Sequence, residues 1–283
     1  MPGRVVVATG GWSAPEWYPP GLPARERLPS LAERLDAVEI DSSFYALPAV
    51  RTVEGWAKIT PERFVFTAKL HRALSRHAAP LKSLPGDLRD GVRVTDRGRV
   101  VLDEDLEAGL CARTLAVFEP LYASGRLGCF LLQLTPAFSP REHRLAELEP
   151  LVQALAPVPV AIELRHRDWL DRRDATLGWF REVGAAFVSV DAPITTSPVA
   201  MPRDDAVTRG DLAYLRAHGR NAEGYVRGRS AAERFDYDYP DAELRELAGR
   251  ARALAEDADW VACVLANGGH ALASALALRE RVD

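Results

Sequence analysis

The chain reads as a closed (β/α)8 barrel in one domain, and three observations predict it. Eight short apolar runs alternate with longer segments of helical spacing over 283 residues. The runs are apolar on both faces, as parallel strands sheathed by helices are. Polar pairs recur two residues apart at the C-terminal ends of the runs, where barrels of this kind carry their sites. A doubly wound open sheet is the other arrangement such alternation allows, but no Gly-x-Gly-x-x-Gly opens the first helix, and Gly10-Gly11 alone does not make a dinucleotide motif.

The elements follow in order. Arg4–Ala8 (RVVVA) is the first strand, and Ala24–Leu35 is helical through Leu28, Leu31, Ala32 and Leu35. Asp36–Asp41 is the second strand, Val50–Ile59 a short helix and Arg63–Leu70 the third strand. Residues 78–103 interrupt the rhythm. Inside them VRVTDRGRVVL (Val92–Leu102) predicts a β-hairpin turning near Asp96-Arg97-Gly98, an insertion after strand three of the kind that forms a lid. The alternation then resumes. A helix at Glu104–Ala123 precedes a strand at Gly128–Leu134, and a helix at Pro140–Leu155 precedes a strand at Val158–Leu164. A helix at Ala175–Val183 leads to a strand at Ala185–Asp191. The loop Ala192–Gly210 holds Pro193, Pro198 and Pro202, and Asp211–Ala217 is the seventh strand. A helix at Pro240–Glu256 starts on a proline with Asp241 and Glu243 in its first turn, and Trp260–Ala266 and Gly269–Val282 close the chain.

Composition bounds the function. A formal charge of −4 carries no overall basic footprint, so nucleic acid is not an expected partner. No run approaches the ~18 apolar residues of a membrane span, and the N-terminal MPGRVVVATGG lacks a signal-peptide pattern. Cys111, Cys129 and Cys263 sit singly in apolar segments without metal-ligand spacing, as in a reducing cytoplasm.

The strand ends carry the chemistry. They are Glu39 and Asp41, Lys69 and His71, Gln133 and Thr135, Glu163 and Arg165, Ser189 and Asp191, Arg216 and His218, and lastly Asn267. Residues two apart share a face, and the residue between is apolar or small. Polar groups of seven strands therefore aim at one end of the barrel. A strand that only fills a core has no use for Glu163 and Arg165, because unpaired charges there cost several kcal/mol.

The stretches GGWSAPEWYPP, VEIDSSFYALP, FTAKLHRALSRH, GCFLLQLTPAF, AIELRHRDW, FVSVDAP, YLRAHGRN and FDYDYPDAEL together resemble the YecE-like family, a bacterial and archaeal TIM-barrel domain of unknown function. The resemblance spans nearly the whole chain. It implies the barrel and marks Trp12, Glu39, Tyr45, Lys69, Gln133, Glu163, Arg165, His166, Trp169, Asp191, Arg216, His218, Gly219 and Asn267. The chain departs from the family pattern at Asp41 (usually Asn), at Ala266 (the first of two Asn), at Ser274 and in the short loop Gly268-Gly269-His270. The family's histidine after the strand-three lysine aligns with either Arg76 or His77.

The expected function is that of an enzyme doing acid–base chemistry on a small polar substrate, anionic or phosphorylated, at the C-terminal mouth. Glu39, Lys69, Glu163, Asp191 and His218 are the candidate catalytic groups. Trp12, Tyr45, Gln133, Arg165, His166, Arg216 and Asn267 are the candidate substrate-binding groups, the arginines because a planar guanidinium suits carboxylate or phosphate. No cofactor or resident metal is expected. The alternatives are a metal-dependent hydrolase or isomerase, acting on nucleic-acid ends and using Glu163, Asp191 and His218 as ligands of a divalent ion, and a non-catalytic ligand-binding barrel.

Overall fold

The computed structural model describes residues 2–195 and 197–282. Its strands are β1 (Arg4–Gly10), β2 (Ala37–Ile40), β3 (Val65–Lys69), β4 (Leu127–Gln133), β5 (Val160–Glu163), β6 (Ala186–Asp191), β7 (Ala213–Ala217) and β8 (Trp260–Leu265). All are parallel, each pairs with its sequence neighbour, and β8 returns to β1, so the sheet closes into a barrel. The open-sheet alternative is thereby removed. The register sets the ends level where it matters: Gly10 lies beside Glu39, and Gln133 beside Glu163.

The helices are α1 (Ala24–Ala32), α2 (Val50–Ile59), α3 (Glu104–Ala123), α4 (Glu149–Ala154), α5 (Arg173–Val183), α6 (Ala222–Arg227), α7 (Ala231–Phe235), α8 (Asp241–Leu254) and α9 (Ala271–Val282). Asp103 caps α3 by accepting from the Leu106 amide at 3.1 Å. Gly184 ends α5 at φ 68°, a left-handed conformation that glycine adopts without steric cost. The core is the layer between barrel and helices, where Leu31, Phe66, Phe118, Phe130 and Phe180 are fully buried.

Two expectations change and one pair of helices is new. The helix read over Pro140–Leu155 is a 3-10 turn, Leu145–Leu148, followed by the short α4. Pro150 has no N–H to give and fits only a first turn, so the helix starts beside it. Residues 222–235 form two short helices, hidden in the sequence by Gly224, Gly228 and a polar composition. The hairpin turns at the expected place, with Gly98 at φ 66°, but only isolated bridges Val94–Val100 and Pro80–Arg99 hold it. Its apolar side chains Val92, Val100 and Leu102 pack on the core.

Candidate functional site

Side chains of β2, β4, β5 and β7 meet inside the barrel, because their inward positions fall at one level. Arg216 is the centre. Its Nε and Nη2 donate to the two oxygens of Glu39 at 3.1 and 2.7 Å. Its Nη1 donates to Glu163 Oε2 at 2.8 Å and to Gln133 Oε1 at 2.7 Å. The far oxygen of Glu163 accepts from Arg165 Nη1 and faces His218 Nε2, both at 3.0 Å. One layer deeper, the Tyr214 hydroxyl donates to Glu39 at 2.7 Å and lies 3.2 Å from the Thr67 hydroxyl. Glu39 and Glu163 are completely shielded from solvent, and Arg216 nearly so. Such charges are tolerated inside a barrel only because each oxygen has a donor.

Burial is the largest influence on Glu39, Glu163 and His218. It raises Glu39 above the usual carboxylate range, with Arg216 opposing and the Asp41 charge adding to it. All three hydrogen-bond contacts to Glu39 come from donors, which is the pattern an ionised carboxylate accepts. For Glu163 burial also acts upward, but His218, Arg216 and Arg165 outweigh it and hold the carboxyl well below its ordinary range. Burial pushes His218 down to about 4; Glu163 opposes this and Arg216 reinforces it. The imidazole is therefore neutral at neutral pH. Since Glu163 is ionised, Nε2 carries the hydrogen, and Nδ1 is left as a buried lone pair with no partner among the described residues.

Above this network lies a cavity of about 450 Å³. Its floor is Gln133, Arg216 and His218, and its wall is built around the Phe44 ring. Lys69 Nζ lies 5.6 Å from that ring's centroid and the Arg72 guanidinium 5.7 Å, and His77 meets it edge to face at 5.1 Å. Lys69 pairs with Asp41 at 2.8 Å. Burial pushes the Asp41 carboxyl up, but Lys69 and Arg216 outweigh it and hold it below its ordinary value. Arg72 has no carboxylate partner among the described residues, and its Nε is buried and unbonded. Tyr45 stands at the rim, 63% exposed.

A strap closes one side. The segment that begins at the end of α7, FDYDYP, docks on the barrel, and Phe235 lies over the His218 imidazole with centroids 5.1 Å apart. Tyr239 Oη accepts from the Gly219 amide at 2.8 Å and donates to Asp191 at 2.7 Å. Asn267 Nδ2 donates to the Tyr237 carbonyl at 2.8 Å and to Ser274 Oγ at 2.9 Å. Gly219 has φ 85°, and a Cβ there would stand 2.5 Å from Tyr237 Cβ, so only glycine seats the strap.

The residues expected at the mouth divide accordingly. Glu39, Lys69, Glu163, Arg165, Gln133, Arg216 and His218 converge, and Tyr45 joins at the rim. Asp191 does not. Its oxygens are taken by Arg220 at 2.8 Å, Arg250 at 2.7 Å and Tyr239, in a separate buried network. Burial acts upward on Asp191, and hydrogen bonds from Arg220 and Tyr239 bring it below the usual range. Asn267 is likewise a strap anchor, with no surface exposed. Trp12 packs edge to face on Trp56 at 5.3 Å and lies outside the cavity lining. His166 sits 3.8 Å from Asp168, also outside it. His71 turns inward because β3 ends at Lys69, so alternation no longer applies beyond it; its Nδ1 accepts from the Ala73 amide at 3.3 Å. Between Arg76 and His77, the geometry selects His77 for the cavity, while Arg76 pairs with Glu107 outside.

The proposed metal set does not fit. Glu163 and His218 are neighbours, but Asp191 is bound up by two guanidiniums, and among the described residues no group of three or more His, Cys, Asp or Glu side chains could hold an ion. Arg72, Phe44 and Phe235 are the residues the strand-end rule missed. They stand beyond strand ends, Phe44 in a 3-10 turn, Arg72 in a turn and Phe235 at the end of α7, where period-two spacing says nothing, although Arg72 follows Lys69 closely in KLHR.

The family described as "Protein of unknown function DUF72" matches residues 6–283. The chain belongs to the DUF72 family. Among DUF72 relatives, the UPF0759 protein YunF of Bacillus subtilis (strain 168) is 25% identical over 249 residues, covering 86% of this chain and 81% of that protein. A DUF72 family protein of Enterococcus faecalis V583 superposes with a TM-score of 0.81 at 24% identity, over 99% of this chain and 95% of that one. Another DUF72 family protein, from Thermotoga maritima MSB8, gives 0.74 at 26% identity, over 98% of both. The barrel is thus shared with these two solved DUF72 chains, and the family name itself brings no reaction with it.

Proposed function

We propose that this DUF72 barrel is an enzyme that binds a small anionic molecule, carboxylate or phosphate, at the C-terminal mouth and acts on it by acid–base chemistry. The observation that carries this is the charge balance around one cavity. Lys69, Arg72 and Arg216 in its lining and Arg165 beneath it stand against Asp41 in the lining and Glu39 and Glu163 beneath it, and among the described residues Arg72 is the cation without a carboxylate. A cation in a low-dielectric wall with no internal partner favours an anion brought from outside. Arg216 has a different part: four of its five N–H groups are taken by Glu39, Glu163 and Gln133, so it holds the two glutamates in place. His218, neutral and oriented by Glu163, is the proton acceptor, and Gln133, whose oxygen faces Arg216, leaves its amide N–H groups for the ligand.

The finer placement with YecE-like proteins is part of the same reading and rests on the motifs quoted above. A cytoplasmic location accords with Cys111, Cys129 and Cys263 all being free and buried, and no described helix is long and apolar enough to cross a membrane. The non-catalytic alternative is favoured by one observation, that Glu39 and Glu163 are wholly engaged by guanidiniums. A screen of phosphorylated and carboxylated metabolites by thermal shift, followed by product analysis of each hit, separates the two. The enzyme reading expects conversion that His218→Gln abolishes while the fold persists. Saturable binding with no conversion of any hit supports the binding barrel. Preference for cationic ligands overturns both.

A further inference from the structure

Resting on the anion reading above, we infer that the ligand is a hydroxylated anion, with its charged group on Arg72 and Lys69 and a hydroxyl directed at His218 Nδ1. Two residues of the cavity lining, Arg72 and His218, carry two kinds of unmet demand. Arg72 Nε is a buried donor without an acceptor among the described residues, and the Lys69 and Arg72 cations lie 5.6 and 5.7 Å from the Phe44 ring centroid, which marks where the charged group sits. His218 makes the opposite demand. Its Nε2 hydrogen is committed to Glu163, and the two hydrogens of Arg216 Nη1 are committed to Glu163 and Gln133. Nδ1 is therefore an acceptor that nothing in the described chain supplies. An anionic oxygen carries no hydrogen and is repelled by that lone pair. An unsubstituted carboxylate or a dianionic phosphate ester without a hydroxyl thus meets the first demand and leaves the second open, at the cost attached to a buried polar atom without a partner. A molecule with both an anionic group and an O–H meets both, and about 450 Å³ holds one of several carbons. The same contact makes that hydroxyl the group whose proton His218 takes. His77 Nε2, also buried and unbonded, adds a further polar atom to this wall.

The test is isothermal titration of the full chain with two matched pairs of probes. Gluconate against hexanoate varies the hydroxyls on a carboxylate, and glycerol 3-phosphate against propyl phosphate does so on a phosphate. Glucitol serves as the hydroxylated molecule without charge. The inference expects the hydroxylated member of at least one pair to bind about tenfold tighter or more than its partner. The pair that responds identifies the anionic group. It also expects Arg72→Ala, a change at the cavity wall outside the buried network, to weaken that binding at least about tenfold with unchanged unfolding. Equal binding within both pairs, with Arg72→Ala weakening all four anions, overturns the hydroxyl inference and leaves the anion reading standing. Glucitol binding as tightly as gluconate, with no effect of Arg72→Ala, overturns the anion reading itself. No saturable binding by any probe at millimolar concentration overturns the inference.

Discussion

Arg216 is where a single side chain has the largest consequence. It neutralises two carboxylates that have no access to water, so removing it strands charge rather than exposing it. Arg216→Ala is expected to lower unfolding stability by about 3–5 kcal/mol, read from urea titration; a loss below about 1 kcal/mol would show that the glutamates do not depend on it. Arg216→Lys should recover little of the loss, because an ammonium cannot span both oxygens of Glu39 and reach Glu163 as well. The sequence made Glu39, Glu163 and Arg216 visible through the two-residue spacing at strand ends. It left Arg72 out, because Arg72 stands three positions past Lys69 on a turn. The same rule over-reached at His71, where the strand had already ended.

At the scale of elements, the strap explains residues that looked catalytic. Asp191, Gly219 and Asn267 bear on the mouth through Tyr237 and Tyr239, which place Phe235 against His218. Tyr239→Phe removes one hydroxyl that both accepts from Gly219 and donates to Asp191. It is expected to speed amide exchange at Gly219 and across 235–239 while leaving α8 protected, as local opening does. Unchanged exchange across the strap would place its anchoring elsewhere. Gly219→Ala should be costlier, since it adds backbone strain to a collision with Tyr237, and a loss of about 1–3 kcal/mol is expected by thermal unfolding. An unaltered melting temperature would contradict the seat described here. FDYDYP was visible in the sequence only as part of the family resemblance, and which barrel residues receive it was not legible. Contacts between positions as far apart as 191 and 239 leave no local pattern.

For the whole molecule, the buried imidazoles set the response to acid. His71 and His218 are each pushed by burial from 6.5 to about 4. Between those values the unfolded chain binds more protons than the folded one. Stability is therefore complete above about pH 6.5 and falls as pH drops toward about pH 4. Glu163, Asp41 and Asp191, whose folded values are depressed, extend the loss at lower pH. Glu39, whose value is raised, works the other way and offsets part of it. The urea midpoint should be lower at about pH 5 than at about pH 7. A midpoint that holds or rises on acidification would mean that these imidazoles are charged in the fold.

Sequence alone determined the barrel and the end at which its polar groups gather. Both follow from local physics: hydrophobic periodicity distinguishes strand from helix, and a spacing of two decides which side chains share a face. Tertiary structure decided which of those groups face one another. It placed Arg216 between Glu39 and Glu163, moved Asp191 into the strap's network, brought Phe44, Arg72 and Phe235 to the cavity from beyond the strand ends, and chose His77 over Arg76. Those outcomes depend on barrel closure, which brings together side chains as distant as Glu39 and Arg216, and on where strands stop. Neither leaves a trace in a window of a few residues.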